Sequence, residues 1–149
     1  MKCSNTVYEK SNAIESVALN RFRNTEYNAL LADGNRQAKA QALADYLCEK
    51  FGIAKAKVQV ANRPQPHTTS QRGTIKCKTL GTYAVGKDTI TVYNLTAAKR
   101  QEVSIKVFAD TLLHEFMHHY DIEYLRLGGT LHTAGFYKRI TDLKKKLEK

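Results

Sequence analysis

The chain is 149 residues long, 42% hydrophobic and 26% charged, and its 24 Lys and Arg outnumber 14 Asp and Glu for a net charge of +10. That size and apolar content suit a single domain, 1–149, with a core of its own. They exclude a bilayer-spanning chain, a secreted one and a disulfide scaffold: no apolar run is long enough to cross a membrane, Met1 to Lys10 lacks the basic-then-apolar order of a leader, and Cys3, Cys48 and Cys77 have no paired spacing. The expectation is a cytoplasmic protein with no membrane partner and reduced thiols, Cys48 being a core residue between Leu47 and Phe51.

Ser11 to Leu31 places Ile14, Val17, Ala18 and Phe22 at helical spacing, with Asp33-Gly34-Asn35 as the break. Gln37 to Phe51 repeats the pattern through Ala42, Leu43, Tyr46, Leu47 and Phe51 and stops at Gly52. Lys57 to Ala61 alternates weakly as a strand, and Arg63 to Ser70, with Pro64 and Pro66, is a polar loop that proline keeps out of a sheet. Thr74 to Tyr83 and Thr89 to Leu95 are β-rich, with Gly86-Lys87-Asp88 as a hairpin turn between them. In Ser104 to Leu127, Val107, Phe108, Thr111, Leu112, Phe116, Met117 and Tyr120 recur at spacings of three and four, and Gly128-Gly129 closes the helix. A last helix, Thr133 to Glu148, aligns Phe136, Ile140, Leu143 and Leu147. Helices first, then a small mostly antiparallel sheet, then two helices predict an α+β fold.

The long helix carries the chemistry. His114-Glu115-Phe116-Met117-His118 puts two imidazoles one turn apart on the same face, where both can reach one tetrahedral metal ion. Glu115 stands beside the first ligand, placed to act as general base on a water that the metal activates. For the third ligand, Glu123 and Asp121 are oxygen alternatives, but Glu123 is five residues past His118, which rotates it well off the metal-facing side, Asp121 is only three away, and His119 points about 100° round from His118. His132, past the double glycine where the chain can fold back, is the better candidate. Three imidazoles suit Zn²⁺ best, although cobalt, nickel or copper fit the same donors. Phe136 is expected to pack beneath the site, and Asp121 or Asp110 to orient a ligand imidazole. Tyr120, Tyr124, Tyr137 and His119 are the donors available to an oxyanion.

The run Leu112 to His118, followed by His132-Thr133-Ala134-Gly135-Phe136, resembles the SprT-like metallopeptidases, the family that includes the Spartan protease. The resemblance extends back through Leu80-Gly81-Thr82-Tyr83 and Thr89-Ile90-Thr91-Val92-Tyr93 and covers the second half of the chain, from Leu80 to Leu143. It implies a zincin-like metalloprotease domain with bound Zn²⁺, N-terminal helices, an active-site helix and a C-terminal helix, acting on protein or peptide substrates. It also implies that the strand at Gly81 to Val85 offers its edge to an extended substrate, with Tyr83 and Ala84 as substrate-binding residues.

Charge is the second signal. A pI near 9.6 favours polyanions, and the basic surplus gathers in Lys76 to Lys87, Lys99-Arg100, Lys138-Arg139 and Lys144-Lys145-Lys146. The resemblance makes nucleic acid a candidate partner, and DNA-associated proteins candidate substrates. Two rival classes remain: a protease that cuts a regulatory partner with no need of DNA, and a non-enzymatic nucleic-acid-binding module braced by a structural zinc. The last would need a fourth protein ligand, for which Cys77 is the available thiol, and has no use for Glu115.

Overall fold

The computed structural model describes residues 2–19 and 24–148. Its elements run α1 (Lys2–Ala13), α2 (Thr25–Leu31), α3 (Arg36–Phe51), β1 (Lys57–Pro64), β2 (His67–Thr69), β3 (Ile75–Lys78), β4 (Gly81–Ala84), β5 (Thr89–Leu95), α4 (Ile105–Glu123) and α5 (Ala134–Leu147). The α+β class expected from the sequence is observed, with five helices and a small sheet among the described residues.

The expected helix over Ser11 to Leu31 is instead divided between two helices, with described residues 14–19 and 24 between them non-helical and Phe22 outside the described residues. Tertiary partners claim the backbone there. Ser11 and Ile14 carbonyls accept from Arg139 (2.5 and 2.6 Å), Val17 N–H donates to Asp142 (3.0 Å) and Ala18 N–H to the Tyr120 hydroxyl (3.3 Å). A helix restarts at α2, where Asn24 accepts from Tyr27 N–H (2.7 Å) as an N-cap. The α3 prediction holds: Gly52 closes it at φ +66°, its N–H returning to Cys48 and Glu49 carbonyls.

β5 is the central strand of a three-stranded sheet of order β1-β5-β4. Its residues alternate in burial, with Ile90, Val92 and Asn94 turned inward. The β4–β5 hairpin is antiparallel as expected, and Gly86 and Asp88 supply positive φ in its turn. The longest pairing, β1 with β5, is parallel, so the main sheet is mixed and the mostly antiparallel expectation holds only for the other two pairings. The run Thr74 to Tyr83 is split: β3 pairs with β2 in a separate antiparallel ribbon, and β4 joins the main sheet. Arg63 to Ser70 is a loop in part only. β1 extends to Pro64 and β2 begins at His67, and Pro64 is tolerated because it ends an edge strand after a register slip.

α4 and α3 cover the sheet, and α5 closes over α4 and α1. The core joins Leu43, Leu47, Ile90, Phe108, Leu112, Phe116 and Phe136, each at most 1% exposed. Cys48 lies in it, fully buried, and Cys77 is exposed on β3. No helix among the described residues is long and apolar enough to cross a membrane.

α4 starts at Ser104, whose hydroxyl accepts from Val107 N–H (3.2 Å). It ends at Glu123, before the double glycine. Leu125 and Leu127 N–H fold back onto Tyr120 and Asp121 carbonyls (both 3.1 Å), and Arg126 takes the left-handed turn at φ +56°. Thr133 caps α5 through Phe136 N–H (3.0 Å) and also bonds the Ser11 hydroxyl (2.9 Å).

Gly135 sits where α5 meets α1. A Cβ there would press into the Ser11 carbonyl and lie 2.6 Å from the Asn12 carbonyl, both backbone atoms, whereas one at Gly128 would meet nothing nearer than 3.7 Å. Gly135→Ala is expected to destabilise the fold by about 1–3 kcal/mol in urea unfolding, through overpacking. Gly128→Ala is the control, and equal midpoints for the two variants would mean that α1 does not pack on α5 as described.

Candidate metal centre

His114 and His118 stand one turn apart on α4, and the chain after α4 returns His132 against them. His132 Nε2 lies 3.1 Å from His118 Nε2 and 3.3 Å from His114 Nε2. The ligating atoms of all three lie within 4.8 Å of one another, and no other residue joins the group among the described residues. Donors at zinc–nitrogen distances of about 2.0–2.1 Å, set at tetrahedral angles, are roughly 3.3 Å apart. These two spacings therefore suit a small tetrahedral ion. The protonation state suits one as well. Burial pushes His118 down to about 3, with His114 and His132 adding to the effect, and burial followed by His132 lowers His114. Both rings are thus neutral donors near pH 7.

A chain of hydrogen bonds sets the ring of His118. Its Nδ1 donates to the Thr130 hydroxyl (2.7 Å), which donates to Asp121 Oδ2 (3.1 Å). Asp121 in turn accepts from Arg139 through both oxygens (2.9 and 3.0 Å), in an ion pair with no solvent exposure on either side. Burial raises the Asp121 carboxyl to about 6, against the pull of Arg139 and Thr130 towards the ionised form. This chain leaves His118 Nε2 as the free donor facing His132. Asp121 thus reaches the ligand through Thr130, while Asp110 pairs with Lys144 (3.1 Å).

Phe136 lies beneath all three imidazoles, as expected. Its ring centroid is 4.7 Å from that of His118, nearly stacked, and 5.2 and 5.3 Å from those of His114 and His132. It is fully buried, so the floor of the site is dry.

Glu115 is 8% exposed and lines the same cavity as the three histidines, a cleft of about 530 Å³ whose other wall includes Lys78, Leu80 and Gly81. Burial pushes its carboxyl up to about 7. The absence of a side chain at Gly81 makes room for it: a Cβ there would lie 2.8 Å from Thr111 Cγ2 and 3.2 Å from Glu115 Cγ.

The remaining expected residues fall in different places. Tyr83 and Ala84 are on β4 but do not line the cleft. His119 Nε2 donates to the Ala54 carbonyl (2.6 Å) and its Nδ1 is hydrogen-bonded to the Tyr83 hydroxyl (2.9 Å), which also reaches Asp88 Oδ1 (3.2 Å), so both are engaged in joining α4 to the sheet. Tyr120 is buried with its hydroxyl on Ala18 N–H, and Tyr124 stacks on Tyr120. Tyr137 is the remaining oxyanion candidate: half exposed, its ring centroid is 6.1 and 5.9 Å from those of His114 and His132. Sequence reasoning missed Thr130, Gly81 and Lys78. Nothing in the local pattern marks the first, and the other two acquire their place only through strand pairing.

Comparison of the chain with protein-family models, with curated proteins and with solved structures finds no match.

Thr130→Val removes the link between His118 and Asp121 with little change of volume. Zinc affinity, measured by competition with a chromophoric chelator, is expected to fall about 10–100-fold. Unchanged affinity would show that the Thr130 hydroxyl does not orient the ring.

Proposed function

We propose that this chain is a zinc-dependent metallopeptidase that hydrolyses peptide bonds of protein substrates, with His114, His118 and His132 as metal ligands and Glu115 as general base. The observation that carries the reading is the meeting, in one cleft, of three imidazoles whose ligating nitrogens lie within 4.8 Å of one another with a buried carboxylate outside the ligand group. The resemblance to SprT-like peptidases, and with it a zincin-like fold, points the same way.

Bound zinc would polarise a peptide carbonyl and acidify the attacking water. Glu115 accepts a proton from that water as its oxygen bonds to the carbonyl carbon, and passes a proton to the amine as the C–N bond breaks. Its buried position raises its carboxyl to about 7, close to a proton-accepting balance at neutral pH. The substrate backbone is held by β4, the edge strand of the sheet. Tyr93 N–H donates to the Leu80 carbonyl (3.0 Å), so by antiparallel alternation the polar groups of Gly81 and Tyr83 face the outer edge. A peptide added there gains main-chain bonds beside Glu115, which gives Tyr83 a backbone role.

The non-enzymatic alternative, a nucleic-acid-binding module with a structural zinc, lacks its fourth protein ligand. The group holds three histidines among the described residues, and Cys77 is exposed on β3. The net charge of +10 supports an acidic partner without choosing between nucleic acid and protein.

Glu115→Gln is expected to keep about one zinc per chain and to lose peptidase activity by a factor of about 10²–10⁴, the usual contribution of a general base. Zinc content by atomic emission and casein cleavage by gel check both parts. Retained cleavage by the variant would remove Glu115 from the mechanism. Stripping zinc with a chelator is expected to stop cleavage by the parent and to lower its melting temperature, with both recovering when zinc is added back.

A further inference from the structure

Resting on the peptidase reading, we propose that the enzyme selects acidic segments of its protein substrate, and that Lys78 with the β2–β3 ribbon is the element that reads them. From Phe51 to Lys87 the chain carries seven Lys or Arg and no Asp or Glu. Among the described residues none of the seven forms an ion pair, although Arg139, Lys138, Lys144 and Lys146 on α5 all do. The ribbon contributes no buried residue: β2 is exposed throughout, and β3 is exposed except for partly covered Ile75. A two-stranded ribbon that adds nothing to the core has little structural reason to be so one-sided in charge.

Its position ties that charge to the cleft. Thr79 N–H donates to the Pro66 carbonyl (2.8 Å), which clamps the base of the ribbon, and Lys78 at the end of β3 lines the cavity with the three histidines. Of the two acidic residues that line the cleft, Asp110 is already bonded to Lys144 and Glu115 is the buried carboxylate, and Lys78 forms no ion pair with either. Arg72 and Lys76, both exposed, lie in the same ribbon as Lys78, which precedes β4 by three residues. Carboxylates of a strand bound at the outer edge of β4 would meet a locally positive surface whose field reaches over a screening length of about 8 Å at physiological salt. An acidic polypeptide fits better than a single-stranded nucleic acid, because from His67 to Lys78 there is no Phe, Tyr or Trp on which a base could stack.

The test measures binding apart from cleavage. Full-length Glu115→Gln protein incubated with zinc is titrated, by fluorescence anisotropy, into three labelled peptides of one length whose variable positions are all Glu, all Gln or all Lys, and into an oligothymidylate of matched charge. The Glu peptide is expected to bind about tenfold more tightly than the Gln peptide at low salt, several exposed charge pairs each adding a few-fold at most. That preference is expected to vanish in Lys76→Glu/Lys78→Glu and to survive Lys145→Glu on α5. Equal binding of the Glu and Gln peptides, a preference that survives the Lys76/Lys78 reversal, or tighter ribbon-dependent binding of the oligothymidylate would each overturn the proposal. Cleavage of the same peptides by the parent protein is read separately. If none is cut, the peptidase reading fails, while the binding result still decides the acidic preference.

Discussion

The buried ion pair between Arg139 and Asp121 is the constraint on which the rest of the structure leans. Two charges with no solvent exposure are tolerated only if their remaining hydrogen-bonding capacity is filled. Arg139 meets most of that demand by bonding the Ser11 and Ile14 carbonyls, which stops the N-terminal helix and draws the following stretch over α5. Asp121 meets its share by accepting from Thr130, and so fixes the loop that leads to His132. One pair thereby joins α4, α5, the segment after α1 and the three-histidine group. Removing either partner would leave an unpaired buried charge and release the orientation of His118 together with it.

The three-histidine site and the core are continuous. Phe136 belongs to the hydrophobic cluster and also forms the floor under three imidazoles, and the burial that stabilises the domain also holds His114 and His118 in the neutral form. The same desolvation raises Glu115. A site of this kind needs rigid support, because imidazoles and a carboxylate held this close would be better hydrated apart. Gly81 and Gly135 show how tightly that support is built: each marks a contact where one added carbon would collide with backbone or with the side chains that carry the chemistry. The basic ribbon beside the cleft stands outside this packing and is free to serve recognition.

Much of the site was legible because its first part is local. The spacing of His114 and His118 guarantees a shared helix face once the helix exists, and the apolar repeat from Val107 to Tyr120 made the helix plain. Cys48 and Phe136 were likewise readable from their apolar neighbours. Where the reading departed from the structure, long-range bonds had replaced local ones. Ser11 to Leu31 has helical periodicity, yet Asp142, Arg139 and Tyr120 take the backbone groups that a continuous helix would have used. Thr74 to Tyr83 reads as one β-rich run, and its division between two sheets depends on partners that periodicity does not name.

By itself, then, the sequence determined the helix that carries His114 and His118, the turn that joins β4 to β5, the stop at Gly52, and the surplus of positive charge, because each follows from residues within a few positions of one another. Only the tertiary structure decided that β1 runs parallel to β5, that Thr130 and not a carboxylate touches His118, that Gly81 and Lys78 line the cleft, and that Tyr83 is bound to His119. Those arrangements bring together groups far apart in the chain, and their selection rests on burial and on satisfying polar atoms in three dimensions, which local pattern does not encode.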